Sequence, residues 1–179
     1  MDSVQIHSLT DFGARELEQL AEVLVDCVDG GASVSFMAPL SHSKAQTFWR
    51  DTAVRVGRRE RVVLVAVDER DSIAGTVQVV WAESENQPHR ADVAKMLVRR
   101  DARRRGIGAA LLAAAEEAAV SNGKTLLVLD TADDAALRLY RREGWTLCGE
   151  IPDYALWPHG GHCPTTILFK RLSAPVLQR

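Results

Sequence analysis

The sequence has few cysteines, no long hydrophobic run and almost no net charge, and each absence excludes a class of protein. Its 179 residues include three cysteines, Cys27, Cys148 and Cys163, without clustered spacing. This odd, scattered set argues against a disulfide framework and fits a reducing compartment. The N-terminus lacks a signal-peptide profile, and no apolar run is long enough to span a bilayer. We therefore expect a cytoplasmic protein without a membrane partner.

The balance of charge makes nucleic acid an unfavourable partner. The chain has 22 Lys and Arg against 24 Asp and Glu, a formal net charge of −2. Non-specific binding to nucleic acid depends on an excess of positive charge. With 46% hydrophobic and 26% charged residues and no linker-like segment, residues 1–179 are predicted to form one domain. The oligomeric state is left open, with a homodimer among the alternatives.

Hydrophobic periodicity predicts strands and helices in the order β-α-α-β-β-β-α-β-α-β-β. The predicted helices cover residues 12–28, about 42–59, 107–121 and 134–143, with Ser41 or Ser43 capping the second. The predicted strands cover residues 4–8, 62–68, 73–83, 89–98, 125–131, 145–151 and 165–172. Residues 152–164, rich in Pro, Gly and His, are predicted to be a loop. This order predicts an α/β (α+β) fold, a mixed sheet with helices on both faces.

The segment VRRDARRRGIGAALL, residues 98–112, is the most informative motif. It places five arginines in positions 99–105 and continues with Gly106, Ile107 and Gly108 at a predicted helix start. The first N–H groups of a helix have no internal partner, and the helix dipole adds positive charge there. Glycines let a phosphate approach these N–H groups, and arginines supply forked donors. The pattern predicts a phosphate-bearing ligand; the alternative is a solvated basic turn.

Two common phosphate motifs are excluded, because the segment matches neither G-x-x-x-x-G-K-[ST] nor G-x-G-x-x-G. It resembles instead the [QR]-x-x-G-x-[GA] signature of the GNAT superfamily of acetyl-CoA-dependent N-acetyltransferases. The strands KMLV and TLLVLDT and the segment LRLYRREGW resemble later motifs of that family. Within it, GGASVSFM, HRADVAKMLV, RRRGIG, LLVLDT and GEIPDYA are similar to the tabtoxin-resistance acetyltransferase type.

The resemblance implies a mostly antiparallel seven-stranded sheet with four helices, splayed at the cofactor site, and acetyl-CoA as co-substrate. The resemblance implies that the main chain of Met96, Leu97 and Val98 pairs with the pantetheine arm of the cofactor. The diphosphate is expected at Arg103, Arg104, Arg105, Gly106, Ile107 and Gly108, although Arg104 and Arg105 have the alternative of being solvated. A main-chain N–H near Leu97 or Val98 is the implied oxyanion donor.

Acetyl transfer to an amine needs proton removal from the amine and a donor for the departing thiolate. The carboxylates near the cofactor strand are Asp92 in the fourth strand and Asp130 at the end of the fifth, where side chains reach the ligand crevice. The family often has a Glu near Asp92, so the shorter Asp would need a bridging water. The alternatives are pairing of Asp92 with an arginine and helix capping by Asp130. Tyr140 matches the tyrosine that this family carries near the cofactor sulfur, so the resemblance implies that its phenol donates a proton to the thiolate. The alternative is that Tyr140 is an aromatic residue of the core.

The acceptor site is expected under GGASVSFM, residues 30–37, with the segment 152–164 opposite. The candidate acceptor-binding residues are Ser33, Phe36, Trp81 and Tyr154. No metal is expected, since His159, His162 and Cys163 have only local spacing. The predicted function is acetylation of a primary amine on a small molecule, such as a tabtoxin-like amino-acid toxin or an amine antibiotic. The alternatives are acetylation of a protein N-terminus or lysine, and a non-catalytic CoA-binding sensor.

Overall fold

The computed structural model describes residues 4–173, and within them seven strands and four α-helices follow the predicted order. The helices are α1 (Ala14–Asp29), α2 (His42–Gly57), α3 (Ile107–Ser121) and α4 (Asp134–Arg142). The strands are β1 (Gln5–Ser8), β2 (Arg61–Val67), β3 (Ile73–Trp81), β4 (Arg90–Val98), β5 (Leu126–Thr131), β6 (Thr146–Leu156) and β7 (His162–Arg171). The predicted single domain, residues 1–179, extends beyond the described range at both ends.

The strands form one sheet in the order β1-β2-β3-β4-β5-β7-β6. Neighbouring strands run antiparallel, apart from the parallel pair of β4 and β5. Helices α1 and α2 bury their apolar faces on one side of the sheet, and α3 and α4 do so on the other. The predicted fold class, a mostly antiparallel seven-stranded sheet with four helices, is confirmed. Within residues 4–173, no helix has the length and apolar character needed to cross a bilayer.

Side-chain caps start two of the helices. The Ser41 hydroxyl accepts a hydrogen bond from the Lys44 N–H at 3.3 Å at the start of α2. The Asp133 carboxylate accepts one from the Ala136 N–H at 2.8 Å at the start of α4. Both are residue types that favour this position because a side-chain oxygen satisfies an unpaired N–H. Helix α3 differs, since its N-cap is Gly106 with a φ of 81° and no side-chain cap.

The sheet opens between β4 and β5. These strands pair over only three positions, Arg90 with Leu126, Ala91 with Leu127 and Asp92 with Val128. Further along β4 the register with β3 shifts, and Lys95 has a φ of 50°, the geometry of a β-bulge. The bulge redirects β4 after it leaves β5. The predicted splay is therefore present, and it begins just after Asp92.

The predicted loop over residues 152–164 is wrong. Strand β6 continues to Leu156 and β7 begins at His162, so most of this segment is a β-hairpin. Proline is tolerated because β6 is an edge strand and its register shifts between Ile151 and Ala155, which leaves Pro152 in a bulge. Pro164, on the inner strand β7, lies opposite the same bulge and beyond the last pair with β5, so neither proline occupies a paired position. The other predicted boundaries differ by at most two residues.

Candidate active site

A cleft of about 560 Å³ lies where β4 and β5 separate. One end of the cleft, the turn end, is formed by residues 102–109. The other, the loop end, is formed by residues 32–35 of the α1–α2 connection together with Lys95 and Asp130. Residues 93–98 of β4 and residues 131–142 at and before α4 supply walls between them. The structure thus brings together the arginine-glycine turn, the end of β5 and α4.

Main-chain donors dominate the turn end. The first N–H that bonds within α3 belongs to Ala110, which donates to the Gly106 carbonyl at 3.1 Å. The N–H groups of Ile107, Gly108 and Ala109 precede that bond, and Gly106 has no side chain to cap them. All three residues line the cleft. The turn end is therefore a helix N-terminus with uncapped donors at a cleft wall, the arrangement that favours an anion.

The two glycines of the turn are needed for different reasons. Gly106 has a left-handed φ of 81°, and a Cβ there would meet no atom of the described protein within 4 Å. Its conformation and the open space agree with the predicted close approach of a ligand. A Cβ on Gly108 would lie 3.0 Å from Leu139 Cδ2, so close packing of α3 against α4 explains this glycine.

The five arginines do not share one role. Arg99 pairs with Asp101 (Nη2–Oδ2, 2.5 Å), and Arg100 pairs with Asp26 (Nε–Oδ1, 2.8 Å). The hydrogen bond from Arg99 lowers the pKa of the Asp101 carboxyl. Both arginines thus neutralise carboxylates of the protein.

The remaining three arginines stand closer to the turn itself. Arg103 donates from Nε to the Val98 carbonyl at 3.1 Å, and it lines the cleft together with Arg104. Arg105 is exposed and is not part of the cleft lining. Two side-chain cations, Arg103 and Arg104, are therefore available to a ligand in the cleft.

Tyr140 and Asp130 both line the cleft. Tyr140 is 4% exposed, and its ring packs 5.8 Å from that of Trp145. Burial raises the pKa of its phenol, and the Asp133 and Asp130 carboxylates raise it further, so the hydroxyl carries its proton at neutral pH. Asp130 accepts a hydrogen bond at Oδ2 from the Thr165 hydroxyl at 2.8 Å. A proton donor and a carboxylate therefore line one cleft.

Asp92 lies apart from that pair. It sits in the part of β4 that still pairs with β5, and its Oδ1 is 2.6 Å from Arg90 Nη1. It is not part of the cleft lining. The alternative interpretation from the sequence, pairing with an arginine, describes this position. For Asp130 the capping alternative is wrong, because the N-cap of α4 is Asp133.

Of the four predicted acceptor residues, only Ser33 lines the cleft. Its hydroxyl lies 3.5 Å from the Leu156 carbonyl and from Cys163 Sγ. Phe36 packs edge-to-face on Phe48 at 5.3 Å, beside the loop end. The other two predicted residues lie outside the cleft. Trp81 ends β3 far from the bulge, with Lys124 Nζ 5.2 Å from its ring centroid, and Tyr154 is 56% exposed on the hairpin.

Sequence analysis missed Lys95, which lines the cleft from the bulge of β4. Its Nζ donates to the Ser35 hydroxyl at 3.2 Å and lies 5.8 Å from the Phe48 ring centroid. Burial lowers the pKa of this ammonium, while the Asp130 carboxylate opposes the shift. The available signal was a single charged residue in an otherwise apolar part of the strand, VAKMLV.

His159 and Cys163 of the hairpin contact the α1–α2 side of the protein. His159 Nε2 lies 3.2 Å from the Asp29 carbonyl, and Cys163 contacts Ser33. Across residues 4–173, no three side chains of His, Cys, Asp or Glu converge as a metal site would require.

Comparison with known proteins agrees with this geometry. Residues 29–145 match the Acetyltransferase (GNAT) family, which is more than half of the chain. The chain belongs to the GNAT acetyltransferase family.

Similar solved structures span nearly the whole chain at low identity. A phosphinothricin acetyltransferase from Sinorhizobium meliloti, in complex with acetyl-CoA, has 18% identity, a TM-score of 0.81, and covers 98% of this chain and 92% of its own. Ribosomal-protein-alanine N-acetyltransferase from Brucella melitensis has 22% identity, a TM-score of 0.78 and coverages of 94% and 99%. The yncA protein of Salmonella typhimurium, solved with acetyl-CoA, has 16% identity, a TM-score of 0.78 and coverages of 99% and 98%. These structures share the fold, and two contain the predicted co-substrate.

Proposed function

We propose that this protein transfers an acetyl group from acetyl-CoA to a primary amine of a small molecule. The observation that carries the proposal is the single cleft that joins uncapped main-chain donors at one end to Asp130 and Tyr140 further along. The main-chain donors suit the diphosphate of a thioester such as acetyl-CoA. Asp130 and Tyr140 can supply the base and the acid that acyl transfer from a thiol to an amine needs.

Acetyl-CoA would lie along the splay with its diphosphate on the N–H groups of Ile107, Gly108 and Ala109. Arg103 and Arg104 add positive charge at that point, and Arg105 can do so from outside the cleft. The pantetheine arm would follow Met96 to Val98, because the β5-facing edge of β4 has no strand partner beyond Asp92. This places the thioester near Tyr140.

The chemistry follows from the two ionisable groups. Asp130 accepts a proton from the ammonium of the acceptor, directly or through water, and the neutral amine attacks the thioester carbonyl. A carbon–nitrogen bond forms, and the tetrahedral oxyanion accepts a hydrogen bond from a main-chain N–H near Leu97. The carbon–sulfur bond then breaks, and Tyr140 donates its proton to the thiolate. The acetylated nitrogen gives up its excess proton, which restores the Tyr140 phenol, and Asp130 returns the first proton to solvent. The products are an acetamide and CoA.

The loop end supports a small acceptor. The β6–β7 hairpin contacts the end of α1 and the α1–α2 connection at three points. The Ala38 N–H donates to the Pro158 carbonyl at 2.9 Å, the Ser33 hydroxyl lies 3.5 Å from the Leu156 carbonyl, and His159 Nε2 lies 3.2 Å from the Asp29 carbonyl. These contacts close the side on which a peptide would need an open groove. An amino-acid toxin of the tabtoxin kind or an amine antibiotic is the acceptor class we propose, and the phosphinothricin acetyltransferase among the similar structures is in keeping with it.

The test measures thiol release from acetyl-CoA with a panel of amino acids, simple amines, amine antibiotics and peptides. We expect turnover with a small amine, and Tyr140→Phe should lower kcat by about 100-fold without changing CoA affinity, since it removes only the acid. Faster turnover of peptides would favour the protein acetyltransferase instead. CoA binding without turnover of any acceptor would support the sensor and contradict the proposal.

A further inference from the structure

Lys95 occupies an unusual position for a charged residue. It lies in the bulge of β4 with a left-handed φ of 50°, and Ser35, which accepts its hydrogen bond, has a φ of 75°. Residues other than glycine adopt this conformation at an energetic cost, so the surrounding structure must hold both in place. The result is an ammonium directed into the loop end of the cleft.

Among residues 4–173 the Lys95 ammonium forms no ion pair with a carboxylate, and it contacts the Ser35 hydroxyl and the face of Phe48. An ammonium has three donors, and Ser35 takes one of them. Asp130 lines the same cleft from the neighbouring strand β5, and its charge favours the Lys95 ammonium without a direct ion pair. The loop end therefore presents one cation and one carboxylate on neighbouring strands.

Two buried donors without a partner lie behind β4, outside the cleft lining. Gln78 is 1% exposed and pairs with Ala94, the residue before Lys95, and it accepts at Oε1 from Arg61 Nη1 at 2.8 Å. Gln78 Nε2 and Arg61 Nε are buried without a hydrogen-bond partner in the described residues. Because neither Gln78 nor Arg61 lines the cleft, these donors belong to the packing behind β4, and the cation that faces the loop end is Lys95.

We infer that Lys95 binds an oxyanion of the acceptor, such as a carboxylate, so that the acceptor is an amine that also carries an acidic group. The acceptor amine lies toward Asp130 and its acidic group toward Lys95, which matches the two charges of the loop end. This inference rests on the proposed function and adds a substrate class to it. The phosphates of acetyl-CoA have their own cations at the turn end.

A purely structural role makes a different prediction. If Lys95 served only to hold Ser35 and the α1–α2 connection in place, its loss would raise KM for every amine by a similar factor. If it binds an acidic group, only acceptors with that group respond. Paired acceptors that differ in a single carboxylate separate these two cases.

The experiment measures kcat and KM with L-lysine against 1,5-diaminopentane, L-methionine against 3-(methylthio)propylamine, and γ-aminobutyrate against propylamine. The variants are Lys95→Met, Lys95→Arg and, as a matched control, Lys124→Met. Lys124 donates to the Pro88 carbonyl at 2.7 Å, beyond the cleft. Melting temperatures of all variants verify folding.

In at least one pair, we expect the wild type to have a higher kcat/KM for the acceptor that carries the carboxylate. Lys95→Met should raise KM for that acid by about 10- to 100-fold, the loss of a charge-assisted hydrogen bond, with little change in kcat or for the matching amine. Lys95→Arg should restore most of the preference, and Lys124→Met should behave as wild type. Equal kcat/KM within every pair, or an unchanged preference in Lys95→Met, would overturn the inference alone. Absence of turnover with any amine would overturn the proposed function and this inference together.

Discussion

The two ends of the cleft are built in different ways. The turn end comes from one continuous segment, residues 102–109, and its donors are main-chain N–H groups. The loop end is assembled from the α1–α2 connection, which the β6–β7 hairpin contacts from outside the cleft, the bulge of β4 and the end of β5, and it acts through side chains. Main-chain recognition depends on backbone conformation, whereas side-chain recognition depends on residue identity at distant positions. Substitutions should therefore affect the two ends in different ways.

The largest effect is expected at Gly106. Gly106→Val forces a β-branched residue into a φ of 81° and brings a side chain to the helix N-terminus. CoA affinity should fall by at least about 100-fold, because two or more charge-assisted hydrogen bonds to the diphosphate are lost. Isothermal titration calorimetry with CoA measures this.

Gly123 provides a matched control for that variant. It has a φ of 71° at the other end of α3, and a Cβ there also meets no described atom within 4 Å. Gly123→Val carries similar backbone strain, so both variants should lose stability, on the order of 1–3 kcal/mol. If the two variants lost CoA affinity equally, the effect would be one of stability and the turn would have no special role.

The next effect separates the two aspartates. Asp130→Asn should lower kcat/KM for the amine by about 100-fold, because the amide cannot accept the amine proton. Asp92→Asn should change it by less than about threefold, since Asp92 pairs with Arg90 outside the cleft. Steady-state kinetics of both variants measures these changes, and CoA titrations verify that neither variant has altered CoA affinity. If Asp92→Asn lowered kcat/KM more than Asp130→Asn did, Asp92 on β4 would be the base.

The same contrast explains what could be predicted from the sequence. The element order and the turn depend on local signals: hydrophobic period, a strand-to-helix junction and two glycines. The splay is different, because only the resemblance to the family implies it. Helix α3 was predicted with its observed ends, Ile107 and Ser121, because glycines stand at both. These signals lie within short segments, so a single sequence contains them.

The loop end could not be predicted in the same way. Trp81 and Tyr154 were chosen as acceptor residues for their chemistry, yet strand register places them outside the cleft. Lys95 enters it only because a bulge changes which side of β4 it occupies. The prediction of a loop for the hairpin is wrong because its strand prolines are acceptable only where the ladder is interrupted. Pro152 lies in the bulge of the edge strand β6, and Pro164 of β7 lies opposite that bulge and beyond the last pair with β5. Register, bulges and edge position are properties of the assembled sheet.

A smaller effect concerns the arginines of the turn end. Arg104→Ala should weaken CoA binding by about 3- to 10-fold, the effect of one partly solvated charge on a phosphate. Arg99→Ala should have no measurable effect on CoA binding, because Arg99 pairs with Asp101. Titrations at two salt concentrations sharpen the comparison, since the contribution of Arg104 should shrink as salt rises. Equal losses for both variants would indicate a general charge effect.

The smallest effect is on stability at high pH. Burial raises the pKa of Tyr140 above that of an unfolded tyrosine, about 10. Above that pH the unfolded chain ionises first, so stability present below pH 10 is lost as the pH rises. Tyr140→Phe removes this loss, about 1.4 kcal/mol per pH unit. Urea unfolding at pH 8 and pH 11 measures it, with Tyr154→Phe as control. Identical pH dependence of wild type and Tyr140→Phe would contradict the burial of the phenol.

A crystal structure of the complex with acetyl-CoA tests the central claim most directly. Diphosphate oxygens should lie within about 3.2 Å of the main-chain nitrogens of residues 107–109, with the sulfur beside Tyr140. Their placement on arginine side chains away from α3, with the nitrogens of residues 107–109 facing solvent, would contradict it.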